Sequence, residues 1–241
     1  MHTIRSAVPD ARLKPFIRCF AQREISVQTS SLVETTMASL EHILSFSLSG
    51  QTMTHHWSGT SAIDPHIHFL GTQTRSLGCF SFTGSVLAFG IFLKPFASWQ
   101  LFRIPPAEFA DQTFEGHEVF GPWITDLWHK LGECETFCDR IRLATETLLP
   151  FAEHATAQTR AMAAAENLLQ TDSGMRIEQL ARESCMTVRT FERKFIERWA
   201  SHRSCSPDCD AFKWLSIASA PQEPGGSMSR TTWGISIKCT W

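Results

Sequence analysis

Tyrosine is absent from the 241 residues, although the chain carries 18 Phe and 8 Trp. Ring packing inside it therefore proceeds without phenolic hydroxyls, and a site built on tyrosine chemistry is excluded. Charge is sparse as well. Asp, Glu, Lys and Arg make up 19% and the net charge is −2, against roughly 25% charged residues in an average protein. A globally cationic coat for nucleic acid is ruled out, so any basic face has to be local. Long apolar runs are missing: the stretch from Val86 to Leu93 is far short of the roughly 20 residues a membrane span needs, and no membrane partner is expected. The first ten residues lack the apolar region of a secretory signal, which leads to the expectation of a cytoplasmic protein. Eight Cys are present, but no C-x-x-C occurs, and Cys134/Cys138 and Cys205/Cys209 have no neighbouring His at zinc-finger spacing. Most of these thiols read as small buried hydrophobes. No G-x-S-x-G, phosphate-loop, H-E-x-x-H or G-x-G-x-x-G sequence is found. Glu133 and Glu135 would fall on different helix faces. No catalytic residue, metal ligand or cofactor is assigned, and the chain reads as a non-enzyme.

What is there changes along the chain. Up to about residue 110 the pattern is strand-like: Leu40 to Leu48 and Phe80 to Leu93 mix alternation with β-branched and aromatic residues. Gly50, Gly59, Gly71, Gly78, Gly84 and Gly90 punctuate these runs, the pattern of a sandwich or barrel. Pro9 to Phe20 reads as a lead-in. From about Asp111 the period becomes helical. Ile124, Leu127, Trp128 and Leu131 share one face, as do Phe137, Ile141, Ala144 and Leu148, and Pro150 is expected to end the second helix. A third helical run, Thr159 to Gln170, is rich in strong helix formers and stops at Thr171 to Gly174. The fold class is therefore α+β. A β-rich, barrel-like unit over 1–110 precedes a helical linker or interface over 111–155, a helical DNA-binding unit over 156–198 and an irregular tail over 199–241.

The most informative run is Met175 to Arg198. Ile177, Leu180 and Ala181 form the apolar stripe of a short helix, and Ser184-Cys185-Met186 breaks it. Thr187 can cap a second helix, because its hydroxyl satisfies an amide with no partner in the first turn. Phe191 and Phe195, four apart, form that helix's inward face, and small Ala181 permits close crossing. Two helices joined by so short a turn make a helix-turn-helix, whose second helix lies in the major groove of double-stranded DNA. Arg189, Glu192 and Arg193 would then meet base edges, since Arg pairs with guanine and Glu accepts from cytosine. Thr187, Lys194 and Arg198 would meet the backbone. From Arg176 to Arg198 six basic residues face four acidic ones, a thin excess for a lone binder. The rival on spacing alone is an ordinary charged helix pair with ion pairs on a solvated face.

I-E-Q-L-A-R-E-S-C-M-T-V-R-T-F-E-R-K-F resembles the first helix-turn-helix of the AraC/XylS family of bacterial transcription regulators. That pattern runs apolar residue, two spacers, Leu-Ala, a small turn ending in Ser or Thr, then an Arg-rich helix with a Phe. Cys185 departs from it, standing where the family usually has a glycine in left-handed conformation. Phe92 to Asp111 and Pro9 to Phe20 resemble the sensor regions attached to such regulators. The resemblance implies a sensor, a linker, a DNA-binding unit, a small-molecule effector of unstated identity and a homodimer. The family continues with Val-Gly-x-Ser-Pro, a linker helix and a second helix-turn-helix; this chain does not. Its last 43 residues hold four of the eight Trp, three of the eight Cys and eight Ser, with no sustained helical stripe. Moving the reading frame back one base leaves one free base per codon. Trp199 onward can then be read as V-G-I-S-P-K-L-F-A-R-L-R-R-F, and the terminus as V-G-Y-F-D-Q-M-H-M, similar to the family's second reading region. The expectation is a frameshifted tail and a regulator impaired by loss of its second module.

Five histidines, His42, His55, His56, His66 and His68, lie in the β-rich part. H-I-H at His66 to His68 after Gly59 resembles the start of a cupin metal site, with both imidazoles on one strand face. No Glu follows at the expected interval and Gln73 is a poor substitute. The alternative function is accordingly a cupin-like small-molecule-binding or metal-dependent barrel with a helical appendage.

Overall fold

The computed structural model describes residues 2–36, 39, 41–73, 75–155, 178, 181–182 and 184–190. The strands are β1 (His2–Ala7), β2 (Ile17–Thr35), β3 (His42–His56), β4 (Ser61–Ile63), β5 (Ile67–Leu70), β6 (Gly78–Leu93) and β7 (Thr113–Glu115). They form one antiparallel sheet in the order β1-β2-β6-β3-β5-β7, with β4 beside the end of β3. Pro9 to Phe20 is more than a lead-in. Its first half is a turn closed by bonds from the Leu13 and Lys14 amides to the Asp10 carbonyl, and its second half begins β2.

The barrel expectation is corrected to an open sheet. Nothing pairs β1 with β7, so the ladder does not return on itself. The lengths give the reason: the three central strands run 19, 16 and 15 residues, whereas β1 has six and β7 three. Strands so short cover only part of the outer edges of β2 and β3, and closure demands matched lengths and a continuous stagger. β7 also lies inside the stretch that the sequence pattern marked as helical.

Period-two alternation sorts the sheet into two faces. Leu44 and Phe46 of β3 and Phe89, Ile91 and Leu93 of β6 enter one core with Phe20, Ile67 and Phe69. Between residues 97 and 153 lie α1 (Ala97–Phe102), before β7, and α2 (Gly116–Phe120), α3 (Pro122–Glu133) and α4 (Phe137–Glu153), after it. Ile124, Leu127 and Leu131 of α3 and Ala144 and Leu148 of α4 complete that core, so the predicted helical stripes are the faces that meet the sheet. Phe89 sits at its centre, with the rings of Phe20, Phe46 and Phe137 at 6.0, 6.5 and 6.2 Å. Each such buried ring stabilises the fold by about 1.5–3 kcal/mol, and rings without hydroxyls need no polar partner there.

Pro150 does not end α4; the helix runs on to Glu153. Proline forfeits one amide bond, but Pro150 is exposed and only three residues from the helix end. The next residue anchors the last turn: the Phe151 ring lies 5.0 Å from Trp123 and 5.2 Å from Phe102. α4 is capped by Thr136, whose hydroxyl accepts from the Asp139 amide at 3.2 Å. Among the described residues no helix is long and apolar enough to cross a membrane.

Candidate effector cavity and DNA-binding turn

The sheet face away from the helices is built differently. Register places Ala21 and Ser45 on either side of Gly90, and Arg23 and Ser47 on either side of Ala88. Small side chains side by side leave space that larger ones would fill. A cavity of about 30 Å³ lies there, lined by Ile4, Ala21, Gln22, Arg23, Ile43, Ser45, Ala88, Gly90 and Phe92. A neighbouring cavity of about 40 Å³ has Glu34, Thr36, Glu41, Leu70, Gln73 and Phe80 among its lining residues. Phenylalanine lines both; no tryptophan does.

Two arginines reach into this face. Arg23 is 5% exposed, donates to Glu34 at 2.6 Å and places its guanidinium 5.2 Å from the Phe82 ring centre. Burial holds its pKa below the usual value, while Glu34 pulls it upward. Arg18 pairs with Glu41 and lies 4.9 Å over the Phe92 ring. Cys19, nearby, is pushed up to about 11 by burial, which leaves it a thiol rather than a nucleophile. The Ser45 side chain is buried among these groups.

The histidines do not converge. His66 precedes β5, is exposed and stacks on Trp128 at 5.2 Å. His68 is buried, with Nδ1 3.2 Å from the Pro65 carbonyl oxygen. His55 ties three strands together through Ser61 and Ser81, each at 2.8 Å. His42 is fully buried, edge-on to Phe69 at 5.2 Å, with no partner at either ring nitrogen. Burial depresses the His68 pKa and raises that of Asp64, its neighbour, whose Oδ1 accepts from Thr54 at 2.6 Å. Among the described residues no group of three or more His, Cys, Asp or Glu is placed to hold a metal.

Of the residues singled out for DNA, Ala181, Thr187 and Arg189 are described. Ile177, Leu180, Phe191, Glu192, Arg193, Lys194, Phe195 and Arg198 lie outside the described residues, as do Thr159 to Gln170 and the tail. Ala181 and Arg182 are helical, and Ala181 is 1% exposed. The Met186 amide bonds the Ala181 carbonyl at 2.8 Å and the Cys185 amide bonds that of Arg182 at 3.0 Å. Cys185 has φ 55°. Those two bonds around one left-handed residue form a Schellman motif, which stops a helix and turns the chain sharply. Two residues later Thr187 Oγ1 accepts from the Thr190 amide at 3.2 Å, an N-cap bond, and Val188 to Thr190 are helical. Thr187 and Arg189 are both exposed. A non-glycine residue in the left-handed region costs about 1–2 kcal/mol. Replacing Cys185 with Gly is therefore expected to stabilise this turn by about 0.5–1 kcal/mol once the added freedom of the unfolded chain is subtracted. Slower amide exchange at residues 184–190 measures the gain; unchanged or faster exchange contradicts it.

A family model described as a domain of unknown function (DUF6597) matches residues 5–115. No curated protein matches the chain. ToxT from Vibrio cholerae O395 is similar at 8% identity, over 83% of this chain and 78% of that one, with a TM-score of 0.39. CuxR, an AraC-like transcriptional activator, aligns at 11% identity over 88% and 83%, with a TM-score of 0.35. A putative ethanolamine utilization protein Q from Salmonella typhimurium LT2 aligns at 14% identity over 39% and 69%, with a TM-score of 0.29.

Proposed function

We propose that the chain is a DNA-binding transcription regulator of the AraC/XylS type, with a β-rich sensor over 1–110, a helical linker over 111–155, one helix-turn-helix over 156–198 and a tail that does not supply the second. The observation that carries the reading is the turn at 181–190. A helix stopped by a Schellman motif at Cys185 is followed after one residue by an N-capped helix start at Thr187. The sequence around that turn matches the family pattern. Arg189, Glu192 and Arg193 are assigned to base edges, and Thr187, Lys194 and Arg198 to the backbone. The sensor cavity, walled by Ile4, Ile43, Phe92, Ser45 and the buried Arg23, holds about 30 Å³, room for a water or two, so an effector with an apolar body and a group that Arg23 or Ser45 can bond would have to part the strands to enter. The protein acts as a homodimer on this reading.

The test uses a frame-restored chain and DNA that it selects from a random pool. Arg193→Ala in that chain is expected to cost about 10-fold or more at one base position, the worth of a bidentate contact, and much less elsewhere in the site. A uniform loss across all positions would make Arg193 a backbone contact, and no loss would remove it from the interface.

A further inference from the structure

We infer that Gln22 and Arg140 form the link through which occupancy of the cavity on the sheet face away from the helices reaches the α3–α4 helical pair. The inference deepens the sensor reading above and names its regulation. Arg140 lies on α4 and is 5% exposed, yet no carboxylate among the described residues pairs with it; its acceptors are all neutral. Nε donates to the Leu131 carbonyl at 3.1 Å and one terminal nitrogen to the Cys134 carbonyl, so the guanidinium closes the C-terminal end of α3, where the helix dipole favours a cation. The other terminal nitrogen donates to Gln22 Oε1 at 2.9 Å. Gln22 is itself 3% exposed and lies on β2 between Ala21 and Arg23, all three of them bordering the cavity. Its amide nitrogen is engaged by Glu24 at 2.8 Å, which fixes the amide's orientation.

Gln22 thus ties β2, one wall of the cavity, through Arg140 to the end of α3 and the body of α4. An occupant that shifts β2 at residues 21–23 moves Gln22, and Arg140 must then follow or lose its acceptor. Either response alters the α3–α4 turn at Leu131 to Arg140. Buried guanidinium groups tolerate few arrangements, because every displaced N–H has to find a new acceptor. This makes the turn a discrete responder rather than a soft one.

The experiment fills the cavity from its own wall and reads the turn by hydrogen–deuterium exchange in the full 241-residue chain. Ser45→Val serves as the occupant, placing two methyl groups where the serine hydroxyl stands. It is expected to speed exchange of the 131–141 segment by at least about threefold while leaving 122–127, the far end of α3, unchanged. Gln22→Leu should do the same by cutting the link directly, and Ser45→Val added to Gln22→Leu should produce no further change at 131–141, since coupled sites are non-additive. Gln22→Glu combined with Glu24→Gln, which keeps an acceptor for Arg140 and a donor between positions 22 and 24, should protect the turn. Equal effects of Ser45→Val with and without Gln22 would overturn the inference, as would a turn that ignores Ser45→Val. A chain too unstable to read in Gln22→Leu would leave the comparison to the Gln22→Glu, Glu24→Gln pair, in which faster exchange at the turn would overturn it equally. None of these readouts involves DNA, so failure of the link and failure of the regulator reading are separable.

Discussion

On DNA selected by the frame-restored chain, the 241-residue chain is expected to bind about 10³-fold more weakly at physiological salt. Affinity for DNA follows the number of phosphates neutralised, and the salt slope is about −0.9 per phosphate. Removing one of two reading modules removes about half the contacts and moves a specific binder toward the micromolar affinity of non-specific binding. The tail cannot compensate electrostatically: from 199 to 241 it holds four Lys and Arg against three Asp and Glu, an excess of one. The excess over 176–198 is only two. The slope of log affinity against log salt should therefore fall to about half that of the frame-restored chain. A shift titration at two salt concentrations measures both quantities. Specific nanomolar binding by the chain as it stands would show that the tail supplies a second grip and that the frame has no part in the matter. The nucleotide sequence across codon 199 bears on the same point, because codons that forbid the restored reading exclude the frameshift whatever the binding shows.

The fold was legible where burial is one-sided. The stripes of α3 and α4 were visible because a helix facing one core repeats its apolar residues every three or four positions. Their buried members, Ile124, Leu127, Leu131, Ala144 and Leu148, are those at the stripe positions. Strand content was visible too, but closure was not. Whether a sheet shuts depends on the lengths of its shortest strands, and β1 and β7 carry too few residues to show a period. Pro150 misled because local chemistry says "stop" while Phe151, Trp123 and Phe102 hold the turn from outside it.

The cavity was harder still to read. Ala21, Ser45, Ala88 and Gly90 are unremarkable small residues until the register of β2, β6 and β3 sets them side by side. Arg23 and Arg140 gave no signal as buried groups, since an isolated arginine in a strand or helix ordinarily points to water. In the turn from Ser184 to Thr187, by contrast, the chemistry is local. A left-handed residue at Cys185 and a cap at Thr187 follow from bonds spanning five residues or fewer, and such short-range requirements are written into the sequence itself. The one long-range feature that composition did announce is the chain's hydroxyl-free aromatic core. It leaves a polar intruder such as His42 with nothing nearby to bond.

Acid should therefore act on the protein through His42. Its pKa is pushed down from 6.5 to about 3 by burial alone, and neither ring nitrogen has a partner. The sign follows from proton counting. Between pH 6.5 and 3 the unfolded chain binds a proton at this residue that the native chain refuses, so stability falls as pH falls. At about pH 4.5 the loss is two pH units below the unfolded value, about 2.7 kcal/mol at roughly 1.36 kcal/mol per unit, a large share of a total of about 5–15 kcal/mol. His42→Phe lacks this term, and it exchanges two unbonded nitrogens for carbon beside Phe69, worth about 1–3 kcal/mol at neutral pH. Urea unfolding of both proteins at pH 7.5 and 4.5 isolates the residue, because Asp64, His68 and every other titrating group are common to the two. The expected result is a native state of His42→Phe whose stability changes by about 2–3 kcal/mol less over that interval. Should the larger ring strain the core, His42→Leu reports the same difference in slope. Equal pH dependence in the variants and the parent would mean that His42 is charged, or bonded, inside the folded chain.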